Sequence, residues 1–266
     1  MERLRGFEHA NVIQSPMRAF DTEWSSWLPL ERCSHDMITE LEHREECRLD
    51  ADDTFSYFRQ MVAGLLHCHR RGVSHLDVKP DNMLLSAGTV KLADFGCSVL
   101  SPLFAPVACH APPFPCLTFS EGGTAYYKAP EALQCAEAQR RNREHAGEQM
   151  EVVAYDAHKA DVWSLGISIV ACATGATPWE SADLLDERYR RWADAYDHAK
   201  NHPAELVGLL STLRDDTTLE AICHTGLASV IIRMLAPQPV ARITLTEVWE
   251  WTITEKRCEL VCTETP

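Results

Sequence analysis

The sequence predicts an α+β fold in which short strands come early and helices make up the second half of the chain. Two apolar segments, Met83–Leu85 and Val90–Ala93, flank turn residues at Ala87–Gly88 and predict a β-hairpin. Asn11–Gln14 and Trp27–Leu30 are further candidates for short strands. From residue 161 onward the apolar residues follow helical spacing instead. With 266 residues, of which 45% are hydrophobic, the chain can bury a core, which excludes a disordered segment.

The first long helix is predicted over residues 53–70. Asp52 or Asp53 is the expected N-cap, and Gly72 is expected to end the helix. One face would pack on the core through an apolar stripe, which consists of Phe55, Phe58, Val62, Leu65 and Leu66.

The later part of the chain is predicted to be loops and helices. Five prolines within residues 98–120 indicate a long loop, and the charged residues 136–151 indicate a solvated insertion. Asp161–Thr174 is apolar nearly all round, which is typical of a buried helix. Leu227–Leu235 predicts another helix, and Thr244–Glu247 is a capping box that would begin a third.

Composition excludes several classes of protein. The net charge of −14 disfavours nucleic acid and anionic membranes as partners. Eleven cysteines without a Cys-x-x-Cys pattern, and no apolar signal segment after Met1, predict an intracellular protein with reduced thiols, cytoplasmic or nuclear. No apolar run is long enough to span a membrane. His67 and His69 lie near a helix end, where surface histidines are more common than metal ligands.

Polar side chains flank the predicted hairpin. Asp77, Lys79 and Asn82 precede its first strand, and Asp94 follows its second. Because a hairpin begins and ends at the same edge, these side chains are expected to converge. A carboxylate and an amide oxygen suit Mg²⁺, a second carboxylate can accept a hydroxyl proton, and a lysine can neutralise a phosphoryl group. These residues therefore predict phosphoryl transfer.

The same residues belong to a series of motifs that resembles the eukaryotic protein kinase superfamily. The resemblance implies a kinase-like fold with a mainly helical C-lobe, and a protein serine/threonine kinase that uses ATP and Mg²⁺. It also implies a protein substrate and a possible regulatory protein as partners. The motifs, in the family's order, are His75–Asp77 with Asn82, Asp94–Gly96, Lys128–Glu131, Asp161–Gly166 and Arg242.

The resemblance implies a role for each residue of the reacting centre. Asp77 would orient and deprotonate the substrate hydroxyl, and Lys79 would contact the γ-phosphate. Thr124 would hydrogen-bond both of them, and the Lys79–Thr124 pair favours serine and threonine over tyrosine as substrates. Asn82 and Asp94 would hold Mg²⁺.

Four further residues are expected to have structural roles. Glu131 and Arg242 would form a buried ion pair within the C-lobe. Asp161 would hold the backbone of the catalytic loop, to which His75 also belongs.

Leu30–Cys33 resembles the family's hinge. Leu30 would be the gatekeeper, the backbones of Glu31 and Cys33 would meet adenine, and Leu84 would form the floor of the adenine pocket. Asp36 would reach the ribose. The alternative is an edge strand followed by a helix cap.

The sequence departs from the family pattern in its first part. Residues 1–33 correspond to a truncated remnant of the N-lobe and the hinge, and residues 34–266 to the C-lobe with insertions near 98–120 and 136–151. Gly6 is the one glycine before Gly64, and Lys79 is the first lysine, so the Gly-rich loop and the strand lysine are missing. We therefore expect little phosphotransfer from this chain alone. The alternative function is a catalytically silent, kinase-like interaction module.

Leu76 replaces the arginine that receives the activation-loop phosphate in the family. Because leucine offers no charge to a phosphate, activity without activation-loop phosphorylation is expected. Thr118 and Ser120 are candidate phosphoacceptors. At the subfamily level, His75–Pro80 is similar to the Wee family, and Asp94–Ser98 followed by Gly-Gly-Thr is similar to the Mos family.

Overall fold

The computed structural model describes residues 8–16, 19–101, 115–145, 150–199 and 226–262, and within them it confirms the α+β class. Helices account for most of the regular structure, and every strand is short. The helices are α1 (Met37–Glu42), α2 (Ala51–His69), α3 (Pro130–Glu144), α4 (Ala157–Thr174), α5 (Glu187–Ala199), α6 (Leu227–Met234) and α7 (Leu245–Cys262). The strands are β1 (Phe20–Asp21), β2 (Ser26–Trp27), β3 (His35–Asp36), β4 (Val73–Ser74), β5 (Met83–Ser86), β6 (Thr89–Leu92), β7 (Val99–Leu100), β8 (Leu117–Thr118) and β9 (Tyr155–Asp156).

The hairpin of β5 and β6 confirms the sequence prediction. Met83 pairs with Leu92 and Ser86 with Thr89 in antiparallel register. Both turn residues have positive φ, 48° at Ala87 and 76° at the following glycine, as a two-residue hairpin turn requires. β3 adds to β5 as a third antiparallel strand. The hairpin therefore places the residues before β5 and after β6 at one edge.

The two early strand predictions were largely wrong. Residues 11–14 form a single bridge, in which Val12 pairs with Leu92, and only Trp27 of the second candidate lies in a strand. Asn11–Ile13 is nevertheless buried, because its backbone bonds to the end of β6: the Ile13 N–H donates to the Leu92 carbonyl at 2.9 Å.

Helix α2 begins two residues earlier than predicted. Its N-cap is Asp50, whose carboxylate accepts a hydrogen bond from the Asp53 N–H at 2.9 Å, so neither Asp52 nor Asp53 is the cap. The helix ends at His69, and Gly72 lies in the turn beyond it with φ of 71°.

Helix α4 is the centre of the core. All but one of its residues are buried, which confirms the buried helix predicted for Asp161–Thr174. Trp163 packs there against Trp179, and Trp192 donates its indole N–H to the Leu235 carbonyl at 2.9 Å. No helix in the described ranges is both long and apolar enough to cross a lipid bilayer.

The predicted capping box begins α7. The Thr244 N–H donates to the Glu247 carboxylate at 2.8 Å, and the Glu247 N–H donates back to the Thr244 hydroxyl at 3.3 Å. The predicted helix Leu227–Leu235 is α6, which ends one residue earlier, at Met234.

The two predicted insertions contain regular structure at their ends. Within residues 98–120, β7 pairs with β4 and β8 pairs with β9, and residues 102–114 lie outside the described ranges. Residues 136–144 continue α3, whose solvent side carries ion pairs of Arg140 with Glu137 and Glu144. Residues 146–149 are also outside the described ranges.

Glu131 and Arg242 join the start of α3 to the segment before α7. Arg242 donates two hydrogen bonds to the Glu131 carboxylate, at 2.6 and 3.0 Å, and it bonds the carbonyls of Ala236 and Lys159. Its guanidinium also lies 5.0 Å from the ring centre of Trp163. The arginine is 2% exposed, so its charge depends on these partners.

Removing this arginine is expected to destabilise the fold strongly. Arg242→Ala leaves the Glu131 carboxylate buried without its partner, and we expect the free energy of unfolding to fall by about 3–5 kcal/mol. Urea denaturation would measure it. In the control, Arg140→Ala, two exposed ion pairs are lost, and a much smaller change is expected because water screens charges at the surface. Equal losses in the two variants would contradict the structural role of the buried pair.

Candidate active site

The Asp77 carboxylate lies at the centre of a hydrogen-bonded cluster. One oxygen, Oδ1, accepts from the Thr124 N–H at 3.0 Å and from the Thr124 hydroxyl at 2.8 Å. The other, Oδ2, accepts from the Asn82 amide at 3.1 Å and lies 3.1 Å from the Lys79 ammonium. Burial raises the pKa of Asp77, but the hydrogen bonds from Thr124 and Lys79 outweigh it and hold the pKa below its ordinary value. Asp77 is therefore ionised at neutral pH.

Lys79 and Thr124 close this cluster into a triangle. The Lys79 ammonium donates to the Thr124 hydroxyl at 2.7 Å, so the single hydroxyl proton of Thr124 is left to point at Asp77. Lys79 is partly exposed, which leaves donor capacity for an anionic ligand. Thr124 thus fixes the orientation of the Asp77 carboxylate, and Lys79 places a positive charge beside it.

Asn82 and Asp94 lie at the predicted edge of the hairpin. Both amide protons of Asn82 are used on Asp77, one on its carbonyl at 2.8 Å and one on its carboxylate, which leaves Asn82 Oδ1 as an acceptor. The Ala93 N–H donates to the Asn82 carbonyl at 2.9 Å and so ties this residue to the neighbour of Asp94. Asp94 adopts a left-handed backbone (φ 58°) and has an exposed carboxylate.

This donor set fits a magnesium ion that keeps water and phosphate ligands. Asn82 and Asp94 supply hard oxygen atoms, one from an amide and one from a carboxylate. Among the described residues, no group of three or more His, Cys, Asp or Glu side chains is arranged to hold a metal ion. That Asn82 and Asp94 hold Mg²⁺ stays a prediction.

The predicted hinge has free backbone groups. The Glu31 N–H donates to the Gln14 carbonyl at 2.9 Å, and its carboxylate pairs with Lys91 at 3.0 Å. The Glu31 carbonyl and the Cys33 N–H have no hydrogen-bond partner among the described residues. The family resemblance implies that the backbones of Glu31 and Cys33 meet adenine, and that role stays a prediction.

Asp36 is the N-cap of α1. Its carboxylate accepts from the Thr39 N–H at 2.8 Å, and this bond lowers the pKa of Asp36. Asp36 also pairs with Leu84 across β3 and β5, so the adenine-floor candidate and the ribose candidate are neighbours. The geometry matches the strand-and-cap alternative at Asp36, while a ribose contact stays a prediction.

An apolar cavity of about 350 Å³ lies beside the hinge and the Asp94 loop. Leu30 and Asp94 are the two predicted site residues on its wall, and the remaining wall is mostly aliphatic and aromatic. The other lining residues include Ile13, Leu28, Val73, Phe95, Val99 and Leu100.

Comparison with known sequences agrees with this geometry. Residues 1–252 match the protein kinase domain family. The chain belongs to the protein kinase family.

Several curated kinases are similar to this kinase domain. The CBL-interacting protein kinase 22 of Oryza sativa is 28% identical over 94% of this chain and 46% of its own length. The CBL-interacting serine/threonine-protein kinase 26 of Arabidopsis thaliana is 30% identical over 76% of this chain and 36% of its own. The serine/threonine-protein kinase chk1 of Schizosaccharomyces pombe is 28% identical over 90% of this chain and 40% of its own length. The chain thus spans less than half the length of these relatives.

Within this kinase fold, Asp161 of α4 holds the catalytic loop. Its carboxylate accepts from the N–H groups of His75 and Leu76, both at 2.7 Å, and from the His69 imidazole at 2.8 Å. Burial raises the pKa of Asp161. His75 in turn donates to the Ala93 carbonyl at 2.8 Å, which connects the loop that carries Asp77 to the one that carries Asp94.

The sequence prediction for His69 was wrong. His69 is 3% exposed, and its ring lies 4.1 Å from that of His158, which bonds the Ser74 hydroxyl at 2.7 Å. A signal was present, because His69 falls three and four residues after Leu66 and Leu65 and so continues the buried stripe of α2. Nothing in the sequence indicated His158 or Ser74 as partners.

These two buried histidines predict acid sensitivity. Burial lowers the pKa of His69 and of His158 to about 3, whereas an unfolded chain titrates near the ordinary value of 6.5. Between these values the unfolded state binds more protons, so the free energy of unfolding falls as the pH is lowered. From pH 7 to pH 5 we expect a loss on the order of 2 kcal/mol per histidine, measured by urea denaturation.

A variant series would assign this pH dependence. His158→Gln, which can still bond Ser74, is expected to lose less stability than the wild type between pH 7 and pH 5. His43→Gln, at an exposed position after α1, is the control and should behave as the wild type does. An unchanged loss in His158→Gln would contradict the assignment.

Proposed function

We propose that this chain carries the catalytic machinery of a protein serine/threonine kinase, which transfers the γ-phosphoryl group of ATP to a protein hydroxyl. The observation that supports it most is the triangle of Asp77, Lys79 and Thr124, in which a carboxylate and a cation are held at hydrogen-bond distance. The similarity to serine/threonine kinases agrees with this substrate class.

In the proposed reaction Asp77 accepts a hydrogen bond from the substrate hydroxyl and aligns its oxygen for attack. The new bond forms between this oxygen and the γ-phosphorus, while the bond from that phosphorus to the β–γ bridging oxygen breaks and ADP leaves. The hydroxyl proton passes to Asp77. Its low pKa favours late transfer, once the attacking oxygen has become more acidic. Lys79 offsets the negative charge of the phosphoryl oxygens.

The nucleotide and its metal ion would use the remaining predicted residues. Asn82 and Asp94 would hold Mg²⁺, which neutralises charge on the phosphates when it is bound. Leu30 and Leu84 would contact the adenine ring, the backbones of Glu31 and Cys33 would bond its edge, and Asp36 would reach the ribose. The carbonyl of Glu31 and the N–H of Cys33 have no partner within the described part of the chain, which supports this placement.

The proposed partners are a protein substrate and a regulatory protein. Some relatives are named as CBL-interacting kinases, which indicates that related kinases contact other proteins. We propose an intracellular location, cytoplasmic or nuclear, because the sequence has the cysteine usage of a reducing compartment. Nucleic acid and membranes are not proposed as partners of a chain with a net charge of −14.

A silent, kinase-like interaction module is the second candidate function. It is favoured by the absence of any lysine before Lys79 and by the single glycine, Gly6, before Gly64. Without a Gly-rich loop and a strand lysine, the phosphates of ATP would lack two of the groups that position them in kinases. The two candidates differ in whether the Asp77 cluster acts on a bound nucleotide.

Replacement of the proposed base separates these candidates. In the full-length protein with ATP and Mg²⁺, Asp77→Asn should lower the rate of phosphotransfer to a serine- or threonine-containing peptide by about 10²–10⁴-fold. ATP binding, measured by calorimetry, should be unchanged, because Asp77 acts on the hydroxyl. Asp52→Asn, at an exposed carboxylate on α2, is the matched control and should retain full activity.

The outcomes of this experiment are distinct. Wild-type transfer that Asp77→Asn leaves intact would overturn the assigned mechanism. A wild-type protein that transfers no phosphate to serine, threonine or tyrosine peptides would favour the silent module.

A further inference from the structure

The residues just before Thr124 lie directly against the catalytic loop. We call Leu117–Thr124 the clamp segment, because its last residue binds Asp77 through both its N–H and its hydroxyl. Gly123 has φ of 97°, and a Cβ atom there would lie 2.4 Å from the Leu76 carbonyl oxygen. The backbones touch at this point, so the position of Thr124 depends on how the preceding residues are held.

The C-terminal half of α3 contacts the clamp segment. Arg143 makes a bidentate ion pair with Glu121, at 2.5 and 2.9 Å. Gln139, one turn earlier on the same helix face, donates its side-chain N–H to the Phe119 carbonyl. These contacts come from the charged stretch that the sequence indicated only as a solvated insertion.

Two further side chains donate hydrogen bonds to backbone carbonyls of the clamp segment. The Lys128 ammonium bonds the Glu121 carbonyl at 2.8 Å, and the hydroxyl of buried Tyr155 bonds the Ser120 carbonyl at 2.8 Å. Phe119, Ser120 and Glu121 therefore each bond a side chain from outside the segment. The carboxylate of Glu121 is part of the chain and needs no modification to carry its charge.

The catalytic loop offers the clamp segment no cation at Leu76. This side chain is 7% exposed and packs in the hydrophobic core, so it has nothing to pair with a phosphate. The charge pairing that orders the segment lies instead between Glu121 and Arg143, on the side facing α3.

We infer that Gln139 and Arg143 are positioning residues: the C-terminal half of α3 holds the clamp segment, and through it Thr124 and Asp77, without phosphorylation of the segment. This inference rests on the proposed kinase function for its effect on catalysis. Its structural part, the ordering of the segment by α3, stands independently of that function.

Hydrogen–deuterium exchange in the unphosphorylated full chain tests the structural part. The double variant Gln139→Ala/Arg143→Ala should exchange the amides of Phe119–Thr124 about fivefold faster than the wild type, because the Phe119 carbonyl and the Glu121 carboxylate each lose a side-chain partner from α3. Arg140→Ala is the matched control, since Arg140 lies on the same helix and pairs only with Glu137 and Glu144 among the described residues. It should leave this exchange unchanged.

A charge swap and a kinetic readout complete the test. The variant in which the two charges are exchanged, Glu121→Arg with Arg143→Glu, should keep most of the protection of Phe119–Thr124 that the double alanine variant loses. In the full-length protein, the double alanine variant should lower kcat about fivefold, while the KM for ATP stays the same, because Thr124 orients Asp77 and does not bind the nucleotide. If the two side chains only stabilise the surface of α3, kcat should not change.

Each outcome decides the proposal. Unchanged exchange in the double alanine variant would overturn it whatever the activity. Protein as purified and protein treated with phosphatase should show the same exchange and the same kcat, and weaker protection in the dephosphorylated sample would also overturn it. If the wild type shows no phosphotransfer, the proposed function fails, and the exchange result still decides whether α3 orders the segment.

Discussion

The contact between the Asp161 carboxylate and the backbone of the catalytic loop is the constraint on which the site depends. Leu76 has a left-handed backbone with φ of 64°, a conformation that costs a residue other than glycine about 1–2 kcal/mol. Two short hydrogen bonds from the N–H groups of His75 and Leu76 to one buried carboxylate offset that cost. Without these hydrogen bonds the turn would relax, and the side chain of Asp77, the next residue, would no longer be held in one orientation.

Helix α4 supports the loops that carry Asp77 and Thr124 as well as supplying Asp161. The Ser168 hydroxyl lies 3.2 Å from the carbonyl oxygen of Val78, which follows Asp77, and Ser164 donates to the Tyr127 carbonyl beyond the clamp segment at 2.8 Å. Because all but one of its residues are buried, the helix cannot shift without opening the core. The loops that carry Asp77 and Thr124 are therefore held by one rigid element.

Local sequence patterns were sufficient to predict much of this protein. The Ala87–Gly88 turn determines the register of the hairpin, and the hairpin places Asn82 and Asp94 at one edge. The buried helix α4 and the Thr244 capping box could also be predicted from the sequence, since each depends on residues within a few positions of one another. Family motifs added roles to Asp77 and Lys79 that spacing alone could not supply.

Long-range contacts decided the rest. The sequence by itself determined the α+β class, the hairpin and the kinase motifs, because these follow from nearby residues and their order. Tertiary structure decided that His69 is buried beside Asp161, 92 positions away, and that Arg143 reaches Glu121, 22 positions away. No local pattern encodes such pairs, because a polar side chain finds its partner only after distant helices have packed.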